Sequence, residues 1–135
     1  MLKLIHLYLA RCPEFPEGSS KHGYEIVAPL DAAGRIDLGD WNLNREKCKV
    51  RRFWNGEANR AGRLVHRAGG PHGATWVIDY DARSTSDDEP GYRLDLHRLA
   101  EGEYVTIRDA NDTPRTFQVA HVRGLHSRPS ERSRA

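Results

Sequence analysis

Apolar and polar residues alternate with a period of two through much of this chain, which restricts it to folds built from half-buried β-strands. In Thr75–Asp81, TWVIDYD, the side chains of Trp76, Ile78 and Tyr80 share one face, and Thr75, Val77, Asp79 and Asp81 share the other. Tyr104–Arg108 sets Val105 and Ile107 against Tyr104, Thr106 and Arg108. Thr116–Arg123 opens with Phe117 and Val119 on one face and continues with Ala120 and Val122 on the other. That change of parity predicts a bulge or an exchange of buried face near Val119. Trp76, Ile78, Val105, Ile107, Phe117 and Val119 are therefore expected to be buried together. The DANDTP segment (109–114) has hairpin chemistry, because Asn and Asp tolerate the left-handed conformations that a turn needs.

Tyr24–Leu30, Cys48–Trp54, Arg63–Arg67 and Tyr92–Leu96 are further strand segments. Leu2–Ala10 is apolar on both faces and reads either as a central strand or as a short helix. One helix is expected near 38–47, capped by Asp37, with Leu38, Trp41, Arg45 and Cys48 at helical spacing. The expected architecture is mainly β, with α+β as the variant: a small curled sheet or barrel of about 6–8 strands with that single helix.

At 135 residues the chain is expected to form one compact β-rich domain over 1–125, followed by a disordered polar tail over 126–135. That tail, HSRPSERSRA, holds three arginines against one glutamate and so accounts for the whole net charge of +2. The remainder is neutral, which argues against a broadly basic nucleic-acid binder. The start, MLKLIHLYLARC, imitates a secretion signal, but His6 breaks the apolar run and Arg11 stands where cleavage needs a small residue. The run also falls well below the roughly 20 residues that cross a bilayer. Cys12 and Cys48 have no metal-ligand spacing. The expectation is a cytoplasmic protein with two free thiols and no membrane partner.

The segments PEFPEGSSKHGYEIVAPLD, CKVRRFW and GEYVTIRD resemble a group of short uncharacterised bacterial proteins with no known function. The resemblance spans about residues 4–125. It implies a single compact cytosolic domain and carries no activity.

The chemistry-bearing feature is Lys47–Trp54, KCKVRRFW. On a strand, Lys47, Lys49 and Arg51 project from one face, and Arg52 follows Cys48 and Val50 on the other. Lys49, Arg51, Arg52 and Trp54 are the residues expected to contact an anion or a nucleic acid, through phosphate contacts and stacking. Such binding is expected to be weak and to fade with salt. The plainer reading is a solvated cationic face, with Arg52 paired to Glu25, Asp79 or Asp81.

Asp79, Asp81, Asp87, Asp88 and Glu89 do not have the spacing of a calcium loop. His6, His66, His97 and His121 fall in or beside strands, and His22 and His72 in glycine-containing loops. No two have the spacing of a local ligand pair. His22 near Ser19, Ser20 and Glu25 is the nearest approach to a nucleophile–base arrangement, without the turn that usually presents one. The sequence therefore points to no catalytic residue, no metal and no cofactor. It points to a small binding or accessory module whose partner is a protein or a weakly held polyanion. The alternative is a metal-dependent or hydrolytic enzyme whose His and Asp residues are gathered by the fold; three or more of them meeting in one pocket would favour it.

Overall fold

In a computed structural model the described residues are 2–66, 76–80, 89–92, 98–108 and 113–124. The protein is mainly β. Among the described residues eight strands run in chain order as β1 (Leu2–Leu9), β2 (Ser19–Pro29), β3 (Lys49–Trp54), β4 (Arg60–His66), β5 (Trp76–Asp79), β6 (Glu89–Tyr92), β7 (Tyr104–Arg108) and β8 (Pro114–Gly124). They form one sheet in the order β6-β5-β4-β3-β2-β1-β8-β7, and every pair is antiparallel. The sheet curls until its two edge strands, β6 and β7, lie close together. The strand twist that drives this curl gives each strand a concave inner and a convex outer face.

Leu2–Leu9 is a strand, and its place explains its composition. It lies in the middle of the sheet, between β2 and β8, with Ile5, Leu7 and Leu9 buried and Leu4, His6 and Tyr8 half-buried on the outer face. The inner face gathers Trp76, Ile78, Val105, Ile107, Phe117 and Val119 into one core with Tyr24, Ile26, Val50 and Leu64.

The parity change in β8 is resolved by a bulge. His6 pairs with His121, but Leu7 pairs with Val119, so Ala120 is the extra residue. One inserted residue turns Val122 to the same side as Phe117 and Val119; it pairs with the buried Ile5 and packs on the core. A larger irregularity lies in β2. Tyr8 faces Gly23, while Leu9 faces Ser19, so Ser20–His22 have no partner on β1.

The helix is shorter than its apolar spacing predicts. It spans Leu38–Leu43 (α1) and is followed by a 3-10 turn at Arg45–Lys47. Asp37 caps the start by accepting from the Asp40 amide at 3.0 Å. Asn44 ends the helix by donating its side-chain amide to the Asp40 carbonyl at 2.8 Å, a bond that competes with continued helix. Trp41 anchors α1 over the end of the sheet, with its indole N–H donating to the Leu64 carbonyl at 3.0 Å.

Asp81, Asp87, Asp88, His72, His97, most of the DANDTP turn, the latter part of Tyr92–Leu96 and the tail 126–135 lie outside the described residues.

Candidate functional site

The cationic strand foreseen from KCKVRRFW begins at Lys49, because Lys47 closes the 3-10 turn instead. The sheet divides its four named residues. Lys49 and Arg51 stand on the outer face, and Arg52 and Trp54 lean inward. They form no single patch, so each half has its own surroundings.

On the outer face the register lines up His121, His6, Glu25 and Arg51 across β8, β1, β2 and β3. Arg51 holds Glu25 through two contacts, at 2.8 and 2.7 Å. This corrects the expected pairing of Glu25 with Arg52: Glu25 faces outward and Arg52 inward, so the sheet separates them. The hydrogen bond from Arg51 holds the Glu25 carboxyl below its ordinary range. Nε2 of His6 lies 3.6 Å from Glu25, too long for a hydrogen bond. Burial lowers the pKa of His6 against the pull of Glu25, and nearby His121 lowers it further.

Inside, Arg52 is buried and donates to Glu57, in the turn after β3, at 3.1 Å. Its guanidinium lies 4.5 Å from the Trp54 ring centroid, and that of Arg115 lies 5.2 Å from the same ring. Arg115 in turn donates to Glu14 at 2.8 Å. His22, which the sequence places in a loop, is a buried strand residue packed between Phe15 and Trp54, with centroids 4.6 and 4.5 Å away.

The Ser19 hydroxyl lies 2.6 Å from Nδ1 of His22 and accepts from the Lys21 amide at 3.1 Å. Burial, then Arg115 and Arg52, lowers the pKa of His22 and favours the neutral ring that a hydroxyl can donate to. These bonds close over the residues that β2 leaves unpaired against β1. Among the described residues no carboxylate orients the His22 ring, so the pair acts as a staple for the irregular strand rather than as a charge-relay arrangement.

The concave surface that the sequence did not reveal lies between α1 and strands β3, β4 and β5. It is a groove of about 1150 Å³. Trp41, Leu64 and His66 line it, with Trp41 and His66 both packed edgewise on Trp76 at centroid distances of 5.3 and 4.8 Å. Leu38, nearly half exposed, adds apolar surface at its edge. Arg45, Lys49 and Arg63 supply positive charge, against Glu46 and Asp79. Arg45 stacks on Trp41 at 4.9 Å, and Lys49 and Arg63 are direct partners on β3 and β4. Among the described residues none of these three cations has a carboxylate partner. Sequence reasoning found Lys49 alone, because the groove joins a helix to strands far apart along the chain.

The histidines do not converge. His6 and His121 are neighbours on the outer face with centroids 5.8 Å apart, while His22 and His66 lie beside different aromatic clusters. Among the described residues no group of three His, Cys, Asp or Glu side chains has the arrangement to hold a metal ion. Cys12 and Cys48 are free, and burial pushes the Cys48 thiol up to about 11, away from nucleophilic or ligating use. Among the described residues no helix is long and apolar enough to cross a membrane. No protein-family model, no curated protein and no solved structure matches the chain.

Proposed function

We propose that the protein is a small cytoplasmic binding module, and that the groove between α1 and β3–β5 takes a small ligand that joins an apolar body to a negative charge. The observation that carries this reading is the meeting of Arg45, Lys49 and Arg63 around the Trp41–His66 surface. Binding sites of this kind are concave and largely apolar, with a few placed polar groups that set orientation. Two free thiols fit a reducing compartment. The resemblance to short bacterial proteins adds no activity to this reading.

The test is an NMR titration of the full chain with 2-naphthoate and with its neutral analogue 2-naphthylmethanol. Naphthoate is expected to shift the Trp41 indole N–H and the amides of Arg45, Lys49 and Arg63, and the neutral analogue to shift them far less. The double variant Lys49→Gln/Arg63→Gln is expected to remove that difference. Equal response to both compounds, or shifts elsewhere in the molecule, would overturn the reading.

A further inference from the structure

The outer face of the sheet carries a second feature, at the other end of β3 from the groove. Its register places Tyr104, Gln118, Tyr8, Gly23 and Phe53 in one row across β7, β8, β1, β2 and β3. Gly23 contributes no side chain, and the rings of Tyr8 and Phe53 meet edge to face across it at 6.1 Å. Tyr104, at the end of the row, is 56% exposed. The parallel row holds His121 and His6, whose rings lie 6.2 and 6.5 Å from that of Tyr8.

Charge is distributed unevenly over the molecule. Outward-facing strand positions among the described residues carry Lys49, Arg51, Arg63, Arg108 and Arg123, against Glu25 and Asp79. Glu14, Glu17, Glu46, Glu57, Glu101 and Glu103 lie off the strands. Counted over strand positions alone, the outer face carries more cations than anions, with aromatic rings across it, while Glu25 holds Arg51 and Glu101 and Glu103 stand beside β8 and β7. Arg51 also lies 5.3 Å from the Phe53 ring centroid, next to the row.

We propose that this outer face, from Tyr104 on β7 to Phe53 on β3, is a platform for single-stranded nucleic acid. Stacking on aromatic side chains and tracking of the phosphates by cations are the two parts of such recognition, and here they share one surface. The spacing selects single strands. Tyr104 and Tyr8 lie two strands apart, about 10 Å, whereas the rings of Tyr8 and Phe53 meet at 6.1 Å and form one stacking station. Bases stacked about 3.4 Å apart in a duplex cannot each reach a ring, whereas the splayed bases of a single strand can. Exposed Arg123, opposite Leu4 on the outer face, is the cation placed to meet the phosphates, since Arg51 is already held by Glu25. The aromatic row is separate from the groove, since Tyr8, Tyr104 and Phe53 do not line it, although Lys49 and Arg63 of the outer-face tally do.

The experiment is fluorescence anisotropy of labelled dT12, rU12 and a 12-base-pair duplex with the full chain, at low salt and at about 0.15 M salt. The variants are Tyr104→Ala, Tyr104→Phe, Tyr8→Ala, Arg45→Gln and the tail triple Arg128→Gln/Arg132→Gln/Arg134→Gln, each with its thermal midpoint measured. Single strands are expected to bind more tightly than the duplex. Tyr104→Ala is expected to weaken single-strand binding by roughly 5- to 100-fold, as loss of one stacked base does. Tyr104→Phe keeps the ring and is expected to bind like the parent, as are Arg45→Gln and the tail triple. Because Tyr104 is exposed, Tyr104→Ala is expected to keep the parent's thermal midpoint, so a lost affinity reports the surface rather than the fold. Binding unchanged in Tyr104→Ala and Tyr8→Ala would overturn the proposal. So would binding abolished by the tail triple alone, a duplex bound as tightly as a single strand, or no binding at all.

Discussion

Arg51 reaches across from β3 to hold both carboxylate oxygens of Glu25 on β2, through Nε at 2.8 Å and Nη2 at 2.7 Å. The planar guanidinium fits this two-point grip, which a lysine cannot reproduce. The pair is half-buried, so its worth is expected near the upper end of the range for surface pairs, about 1 kcal/mol. A double-mutant cycle with Glu25→Gln and Arg51→Gln, read by urea unfolding, checks the figure. A coupling of zero would show that solvent screens the contact completely.

Acid is expected to destabilise the fold in two stages. Burial lowers the pKa of His6 and His22 from the ordinary 6.5, so below that pH the unfolded chain binds more protons than the folded one. Stability then falls as the pH drops. Glu25 adds a second loss at lower pH: its depressed value stabilises the fold above its ordinary 4.5, and this is lost as the pH falls through the folded value. Urea midpoints measured from pH 8 to pH 4 are expected to decline throughout, and His6→Gln is expected to flatten part of the upper stage. A midpoint that rises on acidification would contradict the assignment.

Ile107 is 1% exposed, inside the core shared by β5, β7 and β8. Ile107→Ala removes buried methyl groups and leaves a cavity that a closely packed sheet fills poorly. A loss of about 2–5 kcal/mol is expected. Thermal and urea unfolding check it, and an unchanged midpoint would show that the site is not packed.

Most of the strands were legible because period-two alternation is a local signal that survives in a single sequence. Val105 and Ile107 alternate against solvent and lie in the strand expected for them. The parity change around Val119 announced the Ala120 bulge, since Phe117 and Val122 could not otherwise share a core. Leu2–Ala10 stayed open between strand and helix, because its apolarity on both faces reflects neighbours that the local pattern does not contain. The helix was overextended for a specific reason: the spacing of Leu38, Trp41 and Arg45 continues past Asn44, whose side chain turns back to the Asp40 carbonyl.

The candidate surfaces were harder to read. The alternation in KCKVRRFW placed Arg51 and Arg52 on opposite faces, but their partners Glu25 and Glu57 depend on register and on a turn. The row of Tyr104, Tyr8 and Phe53 joins residues separated by most of the chain, and only the strand order brings them together. His22 looked like a loop residue because Gly18 and Gly23 flank it, yet the irregular pairing of β2 draws it into the strand.

Trp41 ties α1 to β4 through a buried hydrogen bond to the Leu64 carbonyl at 3.0 Å. Trp41→Phe keeps most of the ring packing against Trp76 but leaves that carbonyl without its donor. A cost of about 1–3 kcal/mol is expected. Amide exchange in α1 and at Leu64 is expected to accelerate before the rest of the sheet is affected. Unchanged exchange in α1 would show that the indole N–H does not hold the helix.

At Gly23 the backbones of β1 and β2 approach closely beneath the outer aromatic row. A Cβ at this position would lie 1.9 Å from the Leu7 carbonyl oxygen and 3.1 Å from the Phe53 ring. The ring could turn away, but Leu7 is buried strand backbone, fixed by its pairing with Tyr24 on one side and Val119 on the other. Gly23→Ala must therefore separate β1 from β2 at the centre of the sheet, and a loss of about 3 kcal/mol or more is expected, at or above the upper end for overpacking. Gly56→Ala is the comparison: its Cβ would meet nothing within 4 Å, although its φ of 89° adds backbone strain. Urea unfolding of both variants separates the two effects. Gly23→Ala is expected to be the more damaging, and to broaden the amide signals of Leu7, Tyr8 and Phe53 while those of β5 stay sharp. A Gly23→Ala protein as stable as the parent would show that the two strands do not approach as closely as this register requires.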